Sequence, residues 1–288
     1  MHRVSCQVAS TILAFAIGLF SLTGCQSLQS ALQSQETPTA SVKSASIQDV
    51  SLDALSLVLD VDVSNPYGVA LPVTGLDYKL SSNGQKFLDG VGASQGTIPA
   101  KGSKVLKVPV RVSYQPLMNV LSGVKPGAVV PYTADLAFNV DAPALGTIRL
   151  PVSKEGKLPV PAVPDVAIEQ VEWGKLSLDE ASASIALKVK NTNQFKADLA
   201  AMSYALSLGG QSVANGKLAN ALSLDPGAEG VVSIPISFSP KSFGLGVFQM
   251  LTGSGGGYSI GGDMRLATPF GPIELPYSKS GNASFRRK

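Results

Sequence analysis

Apolar and polar side chains alternate along most of this chain. Leu57, Leu59, Val61 and Val63 are interleaved with Ser56, Val58, Asp60, Asp62 and Ser64, the period-two pattern of a strand with one apolar and one mostly polar face. The pattern returns at Ile185, Leu187 and Val189, with Ala186, Lys188 and Lys190 between and beyond them. Further strands are expected over Leu76–Leu80, Val105–Val112, Thr133–Val140 and Gly146–Val152, with turns at Ser82-Asn83-Gly84 and Ala100-Lys101-Gly102. Helical spacing occurs in only two places. Leu117, Val120, Leu121 and Val124 follow Pro116, and Phe243, Val247, Phe248 and Leu251 follow Pro240.

Those two stretches occupy equivalent places in an internal repeat. Displaced by about 126 positions, the chain matches itself: Asn65 falls on Asn191, Tyr78 on Tyr204, Gly84 on Gly210, Gly90 on Gly216 and Tyr132 on Tyr258. Val108-Pro109-Val110 falls on Ile234-Pro235-Ile236, and Leu150 to Lys154 meets Leu275 to Lys279 one residue out of phase. A shared offset through so many turn residues marks a duplication. Between the copies, residues 157–165 carry Pro159, Pro161 and Pro164, which favour extended geometry and read as a short, stiff linker. Strands that dominate each copy, with one short helix apiece, predict an all-β chain of two tandem β-sandwiches over residues 46–156 and 166–285.

Composition narrows the function classes. Apolar residues make up 44% of the 288 positions, enough to build cores and to exclude wholesale disorder. Charged residues are only 15%, and the net charge of +3 comes from 23 basic and 20 acidic side chains scattered along the chain. A nucleic-acid binder would show a basic stripe, so no nucleic-acid partner is expected. The only basic run is the tail Arg286-Arg287-Lys288.

The N-terminus changes the inventory further. Arg3 precedes an apolar run from about Val8 to Phe20, and Leu22-Thr23-Gly24-Cys25 follows. The run is shorter than the roughly 20 residues of a spanning helix and has the layout of a secretory signal, residues 1–24. Leu22 to Cys25 resembles the bacterial lipobox, which implies acylation of the Cys25 thiol and a membrane anchor; two or three acyl chains, at about 0.8 kcal/mol per buried methylene, hold firmly. Gln26 is not the aspartate that marks inner-membrane retention, so the periplasmic face of the outer membrane is the expected location in a Gram-negative host. Cleavage there removes His2 and Cys6, leaving no imidazole and no spare thiol for catalysis or a disulfide. Residues 25–45, polar and rich in Ser and Gln, read as a lipidated N-terminus followed by a flexible tether.

The residues of each copy also carry a resemblance. Asn65-Pro66-Tyr67 after an alternating strand, then Leu71-Pro72, Gly75-Leu76-Asp77-Tyr78, Asn83-Gly84, Ile98-Pro99-Ala100 and Val108-Pro109-Val110, resemble the WHy domain of the type 2 late embryogenesis abundant family. The family signature at the strand end is Asn-Pro-Asn. Tyr67 replaces its third residue here, and Asn191-Thr192-Asn193 in the second copy keeps both asparagines without the proline. The resemblance implies immunoglobulin-like or fibronectin-III-like sandwiches with one helix each, and protection against water stress without catalysis. By elementary chemistry, an asparagine at a strand end bonds neighbouring backbone groups and a proline after it stops the ladder, so Asn65, Pro66, Asn191 and Asn193 are read as structural.

Other motifs dissolve on inspection. Gly92-Ala93-Ser94-Gln95-Gly96 and Gly257-Tyr258-Ser259-Ile260-Gly261 match Gly-x-Ser-x-Gly, yet neither precedes a helix and the mature chain lacks a histidine base. Asp60 and Asp62 sit at alternate positions of a strand rather than on a calcium loop, and the second copy puts Ala186 and Lys188 there. Gly253 to Gly257 lacks the spacing of a nucleotide loop. Trp173, the lone tryptophan, is expected to anchor a core or junction. No catalytic residue, cofactor or metal is expected. The partners expected are the membrane, through Cys25, and stress-labile client proteins. An alternative is an envelope binding module or adaptor for a lipid-like or apolar ligand, held in a groove beneath the helix bearing Phe243, Val247 and Phe248.

Overall fold

The computed structural model describes residues 36–92, 96–142 and 145–283. Nearly all of it is strand. In the first copy, β1 (Thr39–Gln48), β2 (Ala54–Asn65) and β6 (Gly102–Ser113) form a three-stranded sheet in the order β1-β2-β6. The facing sheet runs β4 (Gln85–Gly92), β3 (Leu71–Ser82), β7 (Val129–Ala142) and β8 (Gly146–Pro159), with the short β5 (Gly96–Ile98) also on β3. The second copy repeats the plan. β13 (Glu229–Phe238), β10 (Ala181–Lys190) and β9 (Asp165–Leu176) form one sheet; β12 (Gln211–Leu222), β11 (Asp198–Leu208), β14 (Gly256–Thr268) and β15 (Gly271–Ala283) form the other.

Each copy encloses its own core. Leu57, Leu59, Val61 and Val63 from β2 meet Leu76, Leu80, Phe138 and Val140 from the opposite sheet, and Ile185, Leu187 and Val189 meet Leu206, Met264 and Leu275. Val50 packs against both cores. Alternation in sequence thus becomes two layers with apolar inner faces.

The duplication extends to the irregularities. β1 bulges between Val42 and Ser44, and β9 departs from register at the corresponding place, between Ile168 and Gln170. Bulges between Val73 and Gly75 and between Leu199 and Ala201 also correspond. Both β3–β4 and β11–β12 are joined by two-residue turns, Asn83-Gly84 and Gly209-Gly210, with positive φ at both positions, the backbone that matches the twist of a hairpin. Pro109, Pro235, Pro151 and Pro276 lie in β6, β13, β8 and β15. Each of these strands is at the edge of its sheet, where a missing N–H costs no ladder bond and discourages further pairing.

Three sequence expectations need correction. The segment read as a tether to Ala45 contains β1, and the first body begins at Thr39 rather than residue 46. The bulge at Lys43 breaks the alternation of Ala40, Val42 and Ile47, so the strand reads as polar. The linker over 157–165 shrinks to residues 160–164, because β8 pairs with β7 as far as Pro159 and β9 starts at Asp165. Finally, the first helix, α1, runs Tyr114–Val120 instead of Pro116–Val124, which leaves Pro116 in its first turn where no N–H bond is lost. The second helical stretch is broken by Gly244 at φ 86 into a 3₁₀ turn (Pro240–Phe243), then α2 (Leu245–Gln249) and a π turn (Met250–Ser254).

Each copy sets two tyrosines against glycines on adjacent strands. Tyr78, Tyr132, Tyr204 and Tyr258 stand directly opposite Gly90, Gly156, Gly216 and Gly281 on the neighbouring strand. Each ring lies over its glycine: a Cβ at Gly156 would come within 2.6 Å of Tyr132, and one at Gly216 within 2.8 Å of Tyr204. The Tyr204 hydroxyl then reaches across to the Pro235 carbonyl of the facing sheet at 3.1 Å. Replacing Gly216 by valine is expected to lower unfolding stability by about 1–3 kcal/mol through overpacking. Gly68→Ala, where an added Cβ meets nothing within 4 Å, is expected to stay within about 0.5 kcal/mol of the parent. Urea unfolding followed by circular dichroism measures both.

Candidate functional site

The asparagines mark the most elaborate polar construction in the structure. Asn65 is 1% exposed at the end of β2, and its Nδ2 donates to the carbonyls of Val69 at 2.8 Å and Pro99 at 3.0 Å. Its Oδ1 accepts from the Tyr67 N–H at 2.9 Å. Asn191 repeats this with Phe195 at 2.8 Å, Leu224 at 3.0 Å and the Asn193 N–H at 3.0 Å, and adds Asp225 at 3.2 Å. One amide therefore ties a strand end to a loop about 34 residues away in each copy. Pro66, which follows Asn65, lies just beyond the end of β2.

Asn193 does something its counterpart Tyr67 does not. Its Oδ1 accepts from the Ala162 N–H at 2.8 Å, and its Nδ2 donates to the Ala162 carbonyl at 3.2 Å and to Asn191 Oδ1 at 3.0 Å. The interrepeat linker is thus fastened to the turn between β10 and β11 of the second sandwich. The first sandwich adds its own clasp. Gln194 N–H donates to the Gly127 carbonyl at 2.7 Å, and Gln194 Oε1 accepts from the Val129 N–H at 3.2 Å. Gly127 has φ +92, and a Cβ there would lie 2.7 Å from the Thr192 carbonyl; only glycine permits this approach. Sequence reading did not foresee Gly127, Ala162 or Gln194 as junction residues, because nothing local distinguishes them.

The remaining candidates separate. Cys25 and the Arg286-Arg287-Lys288 tail lie outside the described residues, as does part of the Gly92–Gly96 motif. Gly257 to Gly261 lies within β14, a strand and not a nucleophile elbow. Asp60 accepts from the Ser44 hydroxyl at 2.8 Å and Asp62 pairs with Lys43 at 3.2 Å, on the outer face of β2. Among the described residues no cluster of three His, Cys, Asp or Glu groups is placed to hold a metal. No helix among them is long and apolar enough to cross a membrane.

The surface is electrically quiet. Lys79–Asp135 at 3.1 Å and Arg149–Asp77 at 2.5 Å cross the outer face of the first copy, and Lys190–Glu229 at 3.1 Å and Lys188–Glu229 at 3.4 Å do so in the second. Exposed pairs of this kind contribute roughly 0–1 kcal/mol each. Lys190 and Lys188 hold the Glu229 carboxyl below its usual range.

The clearest raised pKa values belong to tyrosines. Burial pushes the Tyr114 and Tyr132 phenols up, and burial, with Asp263 and Tyr204 nearby, pushes Tyr277 up to about 12. Tyr277 donates to the Ser203 carbonyl at 2.9 Å. None of these shifts prepares a group for acid–base chemistry near neutrality.

Two openings flank the junction and the second core. A cleft of about 560 Å³ runs between β1 and β8 and is bordered by Pro269 and Phe270 of the second copy. An apolar slot of about 210 Å³ lies between β9 and β14. The groove expected beneath the second helical stretch is not where the apolar space lies: Val247 is buried and Phe243 packs edge-on against Phe238 at 6.1 Å, which seats that segment on the core.

With this geometry described, comparison with known proteins identifies the repeat. The LEA_2 profile, described as late embryogenesis abundant protein, matches residues 60–156 and again 186–281. The chain belongs to the LEA_2 family. Both LEA_2 matches contain the tyrosine–glycine pairs, and the first begins inside β2, so β1 lies outside it. A desiccation protectant protein Lea14 homolog from Glycine max is 30% identical over 129 residues, 45% of this chain and 85% of its own length. Late embryogenesis abundant protein Lea14-A from Gossypium hirsutum is 28% identical over 129 residues, again 45% of this chain and 85% of its own. The solution structure of a protein from Arabidopsis thaliana is similar at 26% identity and TM-score 0.38, covering 46% of this chain and 87% of that one.

Two measurements address this construction. Asn191→Ala removes three donated bonds from a fully buried side chain and is expected to cost about 2–4 kcal/mol, whereas Asn193→Ala, which frees the linker, is expected to cost about 1–2 kcal/mol. Chemical denaturation reads both. Stability is also expected to be level from about neutrality to about pH 9. The folded tyrosines stay neutral where unfolded ones ionise near pH 10, so stability held below that point is lost as pH rises through about 12. Absorbance at 295 nm during an alkaline unfolding series follows the phenols directly.

Proposed function

We propose that this chain is a non-catalytic protectant against water stress, held at the cell envelope by an acylated Cys25. The observation that carries the reading is the double LEA_2 match together with relatives whose names describe desiccation protection. The physical account starts from what the two sandwiches present. Each has its own apolar core, one edge strand of every sheet carries a proline, and the outer faces bear mutually paired charges. Such a body resists edge-to-edge aggregation when water is withdrawn. Its exposed hydroxyls, carboxylates and ammonium groups offer hydrogen bonds to headgroups or to labile proteins that are losing their hydration. The lipobox-like Leu22-Thr23-Gly24-Cys25 and the polar segment after it supply the means to keep that body beside a membrane.

The test is a deletion strain of the host, complemented with the parent gene or with Cys25→Ala, and exposed to drying, cold and osmotic shock. The deletion is expected to survive at least one of these stresses less well, with rescue by the parent. The Cys25→Ala protein is expected to lose acyl labelling, to leave the membrane fraction and to rescue poorly. Equal survival of the deletion and parent strains under all three stresses would sink the protective reading. Full rescue by an unacylated Cys25→Ala protein would remove the anchor from the mechanism.

A further inference from the structure

The two copies differ where their last strands end. In the first, Leu158 of β8 stands opposite Val130 of β7, and the two are 0% and 2% exposed in the first core. Two residues on, Val160 is buried as well, with its N–H donating to the Ala128 carbonyl at 2.9 Å. The chain leaving β8 thus plugs that end of the sandwich with aliphatic side chains. In the second copy the matching pair is Gly256 and Ala283. Met250 lies over Gly256 and takes part of the room. Next to this pair lies the apolar slot of about 210 Å³, which reaches from Asn282 of β15 to Val171 and Trp173 of β9 and inward to Leu206.

Residues 284–288, Ser-Phe-Arg-Arg-Lys, follow β15 and lie outside the described residues. The offset that sets Leu150 on Leu275 and Gly156 on Gly281 carries Val160 onto Phe285. The phase agrees: Ile273, Leu275 and Tyr277 are buried at alternate positions of β15, and Phe285 continues their series. From Ala283 it is two residues away, at most about 7 Å of chain. Charge has changed on both sides of the slot together. Lys43 and Ser46 of β1 correspond to Glu169 and Glu172 of β9, both exposed. Glu172 accepts from the Gln170 amide at 3.0 Å, and Lys175 of the same strand pairs with Glu180, which leaves the two carboxylates without a cationic partner among the described residues. At the other end of the comparison, Pro161-Ala162-Val163 becomes Arg286-Arg287-Lys288. The first copy has neither these carboxylates nor these cations, and the second has both.

We propose that the slot is a docking site for this chain's own C-terminal segment: Phe285 enters it beside Trp173, and Arg286, Arg287 and Lys288 pair with Glu169 and Glu172. The size suits that occupant. An apolar cavity of about 150 Å³ already takes up benzene, so a slot of about 210 Å³ holds one phenyl ring and little more. Attachment through Ala283 keeps the ring at high effective concentration, so even a modest contact is populated. The segment works as a latch, covering the apolar interior of the second sandwich while it is seated and uncovering it when it is drawn off. The latch does not depend on the protective reading, and it can hold or fail whatever the survival assay shows.

Trp173 is the only tryptophan in the chain and stands in the slot wall, so its fluorescence reports the latch. Phe285→Ala is expected to raise acrylamide quenching of Trp173 severalfold and to shift its emission to the red. Arg286→Glu combined with Arg287→Glu is expected to do the same in part, and adding Glu169→Lys and Glu172→Lys to that variant is expected to restore the parent's shielding. Should the variants not fold, zero-length carbodiimide coupling of the unaltered chain decides: an amide between Lys288 and Glu169 or Glu172 is expected by peptide mass spectrometry, in a yield that does not fall on dilution. Trp173 no more accessible in a folded Phe285→Ala chain, a charge swap that fails to restore shielding, or the absence of the cross-link would overturn the proposal. So would a cross-link that disappears on dilution, which would place the segment on a second copy, or shielding that arises only when anionic vesicles are added.

Discussion

A buried primary amide holds each sandwich in shape. Where β2 and β10 end, the chain must leave the sheet while its backbone polar groups are still shielded from water. Unpaired groups there would cost about 1–3 kcal/mol each. Asn65 and Asn191 satisfy several at once, since one Nδ2 reaches carbonyls on two separate segments while Oδ1 takes the N–H two residues on. No aliphatic side chain can do this, and a carboxylate would face carbonyl oxygens with the wrong charge. The strand end, the following turn and the loop before β6 or β13 are thereby fixed relative to one another.

The second copy builds on the same corner. Asn193 adds a further amide to the cluster, and its two bonds to Ala162 convert a proline-rich linker into a strap. Gly127, with its left-handed backbone, lets the first sandwich approach the Asn191 turn closely enough for Gln194 to bond it from both ends. Tandem domains often move relative to one another when their shared surface is small and polar. Here backbone hydrogen bonds and the shared contacts of Val50 cross the junction, so the two sandwiches form a continuous construction. A surface of paired charges and proline-marked edges completes a body with little chemistry of its own.

Much of this was readable in advance. Alternation located many of the strands, and the offset of about 126 revealed the duplication. The tyrosine and glycine matches, first visible as coincident letters, are pairs across neighbouring strands in which one partner's lack of a side chain makes room for the other's ring. β1 escaped because its bulge disrupts the alternation. The duplication held the missing signal: carried back from Asp165, the same offset falls on Thr39, where β1 begins.

What sequence determined by itself were the properties set by neighbours along the chain: strand periodicity, turn chemistry, the repeat and its family resemblance. Tertiary structure decided what depends on residues far apart in sequence. It made Asn193 a fastening for the linker while Tyr67 has no such bond, broke the second helical stretch at Gly244, and brought Pro269 and Phe270 of the second copy to the border of the cleft between β1 and β8. Identical patterns can lead to these different outcomes because a side chain's role follows from what packs against it. The two copies differ in that respect for a plain reason: each has the other on only one of its ends.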